Sequence, residues 1–206
     1  MRLLIAIPVY DYMHFQFVEC LTRLLRRLDA DGIDYEVAYQ GGTLVYVGRD
    51  KLAKRAINQG FTHMLWLDAD ITFSDEILDA LLFCGKPFVS GIYHGRREPH
   101  ASCIFKQIFP EIDRWQRCDY PASAFKIAGC GFGCVLISTE IIKAVFDKNG
   151  TAFFPMRELG EDLAFCKRVA DCGYEIWAEP SIQLGHIGHI VVYPEYQNIF
   201  ADSLMR

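Results

Sequence analysis

His63-Met64-Leu65-Trp66-Leu67-Asp68-Ala69-Asp70 is a short apolar run that ends abruptly in two carboxylates. Five apolar or aromatic-rich residues bounded by polar ones read as a buried strand. The run is the third of its kind. Leu3 to Ile7 is a continuous apolar stretch stopped by Pro8, and Tyr35 to Tyr39 is a second, stopped by Gly41-Gly42. Helical periodicity fills the gaps. Phe17, Val18, Leu21, Leu24, Leu25 and Leu28 fall on one face before Gly32, and residues 43 to 59 suit a second helix closed by Gly60. That helix carries Arg49, Asp50, Lys51, Lys54 and Arg55 on its polar side. Ser74 is placed to cap a third helix running to about Cys84, and Phe88 to Tyr93 is a fourth strand. Four strands alternate with three helices, which predicts an α/β fold with a mainly parallel central sheet and helices on both faces.

After residue 95 the pattern loosens. Residues 101 to 127 read as extended or irregular pieces. Cys134 to Ser138 is a strand, Thr139 to Asp147 a short helix, Gly160 to Cys172 a further helix, and Tyr174 to Ala178 a last strand. No repeat or linker divides the 206 residues, so one domain spans 1–206. Within it, residues 1–95 carry the regular alternation and residues 96–206 the looser pattern.

Composition narrows the function. The chain is 51% hydrophobic, 14% aromatic and 23% charged, with a net charge of −5. Disorder would need less apolar content. A chain of this length buries roughly 70% of its unfolded surface and needs no disulfide or metal to fold. The acidic balance argues against nucleic-acid binding through bulk positive charge. The 8 cysteines include no C-x-x-C pair, and most sit in apolar stretches, so they read as buried free thiols in a reducing, cytoplasmic setting. No apolar run approaches the ~20 residues that a membrane span requires.

Ligands of open parallel sheets bind beyond the carboxyl ends of strands, where Asp68 and Asp70 lie. Two carboxylates so close repel each other, and a hard divalent cation removes that cost. A solvated turn would use the same residues, and D-x-D is a weak motif alone. Two further elements accompany it: Gly160-Glu161-Asp162 at a helix start, and Gly185-His186-Ile187-Gly188-His189 after the last strand.

With these segments the sequence resembles the GT-A nucleotide-sugar glycosyltransferases, family 2-like and D-x-D-containing, over about residues 3 to 190. Ile5 to Tyr10 resembles the family's first strand and nucleotide loop. Arg49-Asp50 stands where many relatives have an R-N pair, a departure at Asp50. Ala128 to Cys134 is similar to the glycine-rich stretch beside the donor sugar. Gly160 to Asp162 and His186 to Gly188 resemble the E-D helix and the late metal-binding histidine. The resemblance implies a single Rossmann-like GT-A domain, with residues 1–95 as its nucleotide-binding half and 96–206 as its acceptor and catalytic half, a hexosyltransferase-type enzyme and Mn²⁺ or Mg²⁺ on Asp68, Asp70 and His186. Histidine among the ligands favours Mn²⁺. Asp70 and His186 rank above Asp68, which would contact the nucleotide sugar, and His189 competes with His186.

The resemblance also implies partners and roles. The donor would be a UDP-sugar and the acceptor a glycan or other hydroxyl compound, with transfer by inversion. Asp162 would be the catalytic base. Pro8, Val9 and Tyr10 would border the nucleotide. Arg49 would meet a phosphate or the base, or lie on a solvated helix face. Gly131 would allow close backbone approach to the sugar, and Phe132 would stack on it or fill the core.

Two other enzyme classes share parts of the pattern. Asp68-Ala69-Asp70-Ile71-Thr72 matches the D-x-D-x-T of haloacid-dehalogenase-like phosphatases, whose first aspartate is a nucleophile. Those enzymes carry it near the N-terminus, whereas two strands and two helices precede it here. A sugar-1-phosphate nucleotidyltransferase would want a glycine-rich loop after the first strand, and Pro8-Val9-Tyr10-Asp11 is not one. A non-catalytic nucleotide-sugar-binding module would keep the pocket without needing Asp162.

Overall fold

Alternation of side chains along the strands decides how the layers stack. In the computed structural model, which describes residues 1–109, 114–117, 120–157 and 159–188, Leu3, Ile5 and Ile7 face one way and Leu4 and Ala6 the other. The elements in chain order are β1 (Arg2–Pro8), α1 (Phe15–Ala30), β2 (Asp34–Gln40), α2 (Val45–Asn58), β3 (His63–Leu67), β4 (Ile71–Thr72), α3 (Ile77–Phe83) and β5 (Phe88–Ile92). There follow β6 (Ile104–Phe109), β7 (Arg114–Arg117), β8 (Phe125–Ile127), β9 (Gly129–Cys130), β10 (Cys134–Ser138), α4 (Thr139–Asn149), α5 (Glu161–Asp171), β11 (Ile176–Gln183) and β12 (Gly185–His186). Cys118 and His189 lie outside the described residues.

The central sheet has seven strands in the order β2-β1-β3-β10-β5-β11-β8. It is mainly parallel, as the sequence pattern implies, with β10 and β8 running against their neighbours. Helices cover both faces. Leu3, Ile5, Ile7, Leu65, Leu67, Val89 and Leu136 pack with α1 and α3. Leu4, Ala6, Met64, Trp66, Phe88, Val135 and Ile137 pack with α2, α4 and α5. This is one Rossmann-like α/β unit. Among the described residues no helix is long and apolar enough to cross a membrane, and the seven described cysteines are free.

Local signals fix the helix ends. Gly32 and Gly60 follow α1 and α2 with φ of 67° and 73°, a backbone that a Cβ would strain. Ser138 caps α4, accepting from the N–H of Glu140 at 3.3 Å. Ser74 does not cap α3. Its hydroxyl accepts from the N–H of Glu76 at 3.2 Å in the preceding turn, and Glu76 itself is the cap residue.

The polar face of α2 is less solvated than its composition suggests. Asp50 accepts from the Thr151 hydroxyl at 2.7 Å and from the N–H groups of Ala152 and Phe153 at 3.1 and 2.8 Å. It thereby pins the segment that delivers Phe153 to the core. Phe153 stacks on Phe165 with centroids 4.4 Å apart and meets Trp66 and Phe132 edge-on at 5.3 and 5.2 Å. Phe153→Ala should destabilise the protein by about 3–5 kcal/mol in urea unfolding, because a buried ring leaves a cavity its neighbours only partly close.

Candidate functional site

Beyond the carboxyl ends of β1, β2 and β3 lies a cleft of about 490 Å³. Pro8, Val9 and Tyr10 form one wall, directly after β1, and Tyr10 is largely exposed. Asp68 and Asp70 rise from the end of β3, and Glu161 and Asp162 open the first turn of α5 opposite. The backbone carries them there for simple reasons. Pro8 ends the β1 ladder, the N–H of Asp68 donates to the Gly133 carbonyl at 3.1 Å, and Gly160 caps α5.

Arg49 lies beneath the carboxylates. It is 2% exposed, with its guanidinium carbon 5.6 Å from the Trp66 ring centroid and 5.2 Å from that of Phe132. Its Nη2 donates to Asp68 Oδ1 at 3.1 Å, and its Nε lies 3.5 Å from Asp162 Oδ1 and 3.9 Å from Glu161. The solvated-face reading of Arg49 is therefore corrected. The α2 position turns it inward, where three acids compensate a charge that would otherwise be too costly to bury.

Asp70 has a separate set of partners. The two-residue ladder of β4 and β12 pairs Ile71 with His186, and the N–H of Ile187 donates to the Asp70 carbonyl at 2.7 Å. This sets His186 Nε2 at 3.6 Å from Asp70 Oδ2. His186 Nδ1 lies 2.7 Å from the His94 carbonyl, which can only accept, so Nδ1 is the donor there and Nε2 is the nitrogen turned toward Asp70. Arg96 Nη1 also meets Asp70 Oδ2, at 3.0 Å.

The acids differ accordingly. Burial pushes Asp162 up to about 7; Arg49 opposes this, and the charges of Glu161 and Asp68 reinforce it. Burial raises Asp68 as well, with Arg49 pulling against it and Asp70 adding to it. Burial would raise Asp70 too, but the hydrogen bond and charge of His186, together with Arg96, hold it below its ordinary value.

Two residues expected at the sugar are placed elsewhere. Phe132 is wholly buried between Trp66, Phe88, Phe153 and Phe165, so its ring offers no face to a ligand. Its N–H enters the site instead, donating to Asp162 Oδ2 at 3.2 Å. Gly131 and its neighbour Gly133 make room for the Tyr93 ring; a Cβ at Gly133 would lie 2.7 Å from Tyr93 Cε1, and one at Gly131 would strike the Tyr93 hydroxyl. Tyr93 packs edge-on to His186 at 5.2 Å. Nothing in its position marks it in the sequence, beyond its place at the end of a strand.

Among the described residues no three His, Cys, Asp or Glu side chains gather closely enough to hold a metal ion. Asp70 and His186 fit one as a pair. Donors 3.6 Å apart can both touch an ion whose bonds are about 2.1 Å long, and the His94 carbonyl already orients the imidazole. Asp68 does not complete a set of three with them, and its Oδ1 pairs with Arg49.

No family model matches the sequence, and no curated protein does. Solved structures do resemble the fold. The crystal structure of A197 from STIV superposes with a TM-score of 0.66 and 18% identity, over 95% of this chain and 92% of that one. The catalytic domain of Drosophila β1,4-galactosyltransferase 7, solved in complex with xylobiose, superposes with a TM-score of 0.49 and 14% identity, over 87% of this chain and 65% of that one. The likeness to A197 is one of fold. Neither neighbour carries a substrate or an activity across to this chain.

The raised Asp162 makes a stability prediction. A carboxyl that holds its proton more tightly when folded stabilises the fold at low pH. That contribution is lost as pH rises from about 4 to about 7, and is constant above. Asp162→Asn cannot ionise, so the variant should gain stability relative to the parent across that window and hold the gain above it. Chemical denaturation at several pH values reads the difference.

Proposed function

We propose that this protein is a glycosyltransferase that moves a sugar from a nucleotide diphosphate donor, a UDP-sugar first among candidates, to a hydroxyl of a glycan or other acceptor. The observation that carries the reading is geometric: Asp162 stands in the first turn of α5, across one cleft from the strand-end pair Asp68 and Asp70, and burial there pushes its carboxyl up to about 7. Such a pKa suits a general base working near pH 7. The separated environments of Asp162 and Asp70 are what acid–base division of labour requires.

In this scheme the nucleotide lies along Pro8, Val9 and Tyr10, with the diphosphate toward Asp70. Asp162 takes the proton of the acceptor hydroxyl as its oxygen bonds to the anomeric carbon and the bond to the donor phosphate breaks. Attack from the side opposite the leaving group inverts that carbon. Asp68 and Arg49 do not touch the reacting atoms; their ion pair holds the floor of the cleft and fixes Asp162 by charge. Asp70 and His186 would hold Mn²⁺ or Mg²⁺, which when bound supplies Lewis-acid stabilisation of the departing diphosphate. The phosphatase reading fares worse: its nucleophile would be Asp68, whose negative charge is drawn toward the buried Arg49 guanidinium 3.1 Å from Oδ1, which weakens the carboxylate as a nucleophile.

Asp162→Asn should bind UDP as the parent does and lose about 10²–10⁴ in transfer rate, the range of a general base. Full transfer by that variant would assign the base elsewhere. Asp70→Ala should weaken Mn²⁺-dependent UDP binding at least about tenfold by calorimetry, since it removes half of the proposed ligand pair. Unchanged affinity would remove the metal from the scheme.

A further inference from the structure

The cleft is acidic, yet the donor proposed for it is a polyanion. Asp11, Asp68, Asp70, Glu161 and Asp162 all line it. Of the two arginines in the lining, Arg49 is 2% exposed and already serves three of these acids. The other is Arg96, whose side chain is 48% exposed.

The fold presents Arg96 deliberately. The loop after β5 is closed on itself by an antiparallel bridge between His94 and Ser102 and by the Gly95 N–H donating to the Ala101 carbonyl at 3.0 Å. Its stem lies against Gly188; a Cβ there would come within 3.0 Å of Arg96 Cδ, so the missing side chain is what admits it. Arg96 Nη1 pairs with Asp70 Oδ2 at 3.0 Å and reaches the Ile187 carbonyl at 3.3 Å. Among the described residues its Nη2 and Nε make no hydrogen bond or ion pair. Guanidinium matches phosphate with two parallel N–H bonds, a geometry that lysine lacks.

We infer that Arg96 binds the donor's diphosphate, anchored through Nη1 on Asp70 and offering its remaining donors to phosphate oxygens. The assignment rests on the nucleotide-donor reading above and adds the residue that makes an acidic cleft tolerate its substrate. Its anchor, Asp70 Oδ2, is also the oxygen that faces His186, so the arms with and without Mn²⁺ show whether guanidinium and metal act together or compete there.

The test is a phosphate ladder. Uridine, UMP and UDP, and the guanosine series in parallel, are titrated into the full chain, Arg96→Ala and Arg96→Lys, with and without Mn²⁺. Calorimetry reads the nucleotides and ligand-observed NMR the weak nucleosides. Arg96→Ala should lose about tenfold or more for the diphosphate and leave the nucleoside unchanged, while Arg96→Lys recovers part of the loss by restoring charge without the fork. Diphosphate affinity unchanged in Arg96→Ala, with the parent binding well, overturns the assignment alone. Equal losses for nucleoside and diphosphate also overturn it, since that marks a loop held only for structure. A parent protein that binds neither series overturns the donor reading and this assignment together.

Discussion

A buried guanidinium is the constraint around which the rest is arranged. Arg49 sits between the Trp66 and Phe132 rings, 2% exposed, with its charge answered by Asp68, Asp162 and Glu161. Arg49 comes from α2, and its partners from the end of β3 and the start of α5. Desolvating one cation is expensive, and only close acids offset it. The ion cluster therefore ties three elements at one point, and fixes where the carboxylates of the cleft can stand. The aromatic cluster below it, reached through the Asp50 contacts to residues 151–153, supplies the dry floor that keeps those charges strongly coupled.

From that arrangement the acids acquire different chemistry without any difference in residue type. Asp68 is engaged by Arg49 directly. Asp162 is held up chiefly by burial, lies further from the guanidinium and feels both Glu161 and Asp68, so it holds a proton to about 7. Asp70 points to the other side, toward His186 and Arg96, and stays ionised more readily. In the proposed reaction one end of the cleft would accept a proton while the other would organise anionic phosphate. The proposed transfer reaction needs these two capacities side by side.

How much of this was legible in the sequence depends on the length of the pattern. The strands at 3–7, 35–39, 63–67 and 134–138 and all five helices announce themselves, because periodicity accumulates over many residues. Asp68, Asp70 and Asp162 were readable as candidates from their places at strand and helix ends. The reversed direction of β10 was not, since Cys134 to Ile137 is apolar on both faces and reads alike either way. The ladder joining Ile71 to His186 is two residues long and carries no period at all. Arg49 sits in a run of charged helix residues, and which one turns inward is decided by α2 packing, not by composition. Phe132 and Gly131 look like ligand residues because glycine beside an aromatic serves a sugar and a tightly packed Tyr93 equally well.

The sharpest check on the central claim is the pH dependence of stability in Arg49→Met, which keeps bulk between the two rings and removes the charge. If the guanidinium holds the acids together, the variant should lose about 3–5 kcal/mol near pH 8, where three carboxylates face one another unpaired. The deficit should shrink as pH falls toward 4 and protonation relieves them. A deficit that stays the same from pH 8 to pH 4 would mean that Arg49 contributes packing alone, and that the carboxylates of the cleft are held in place by something else.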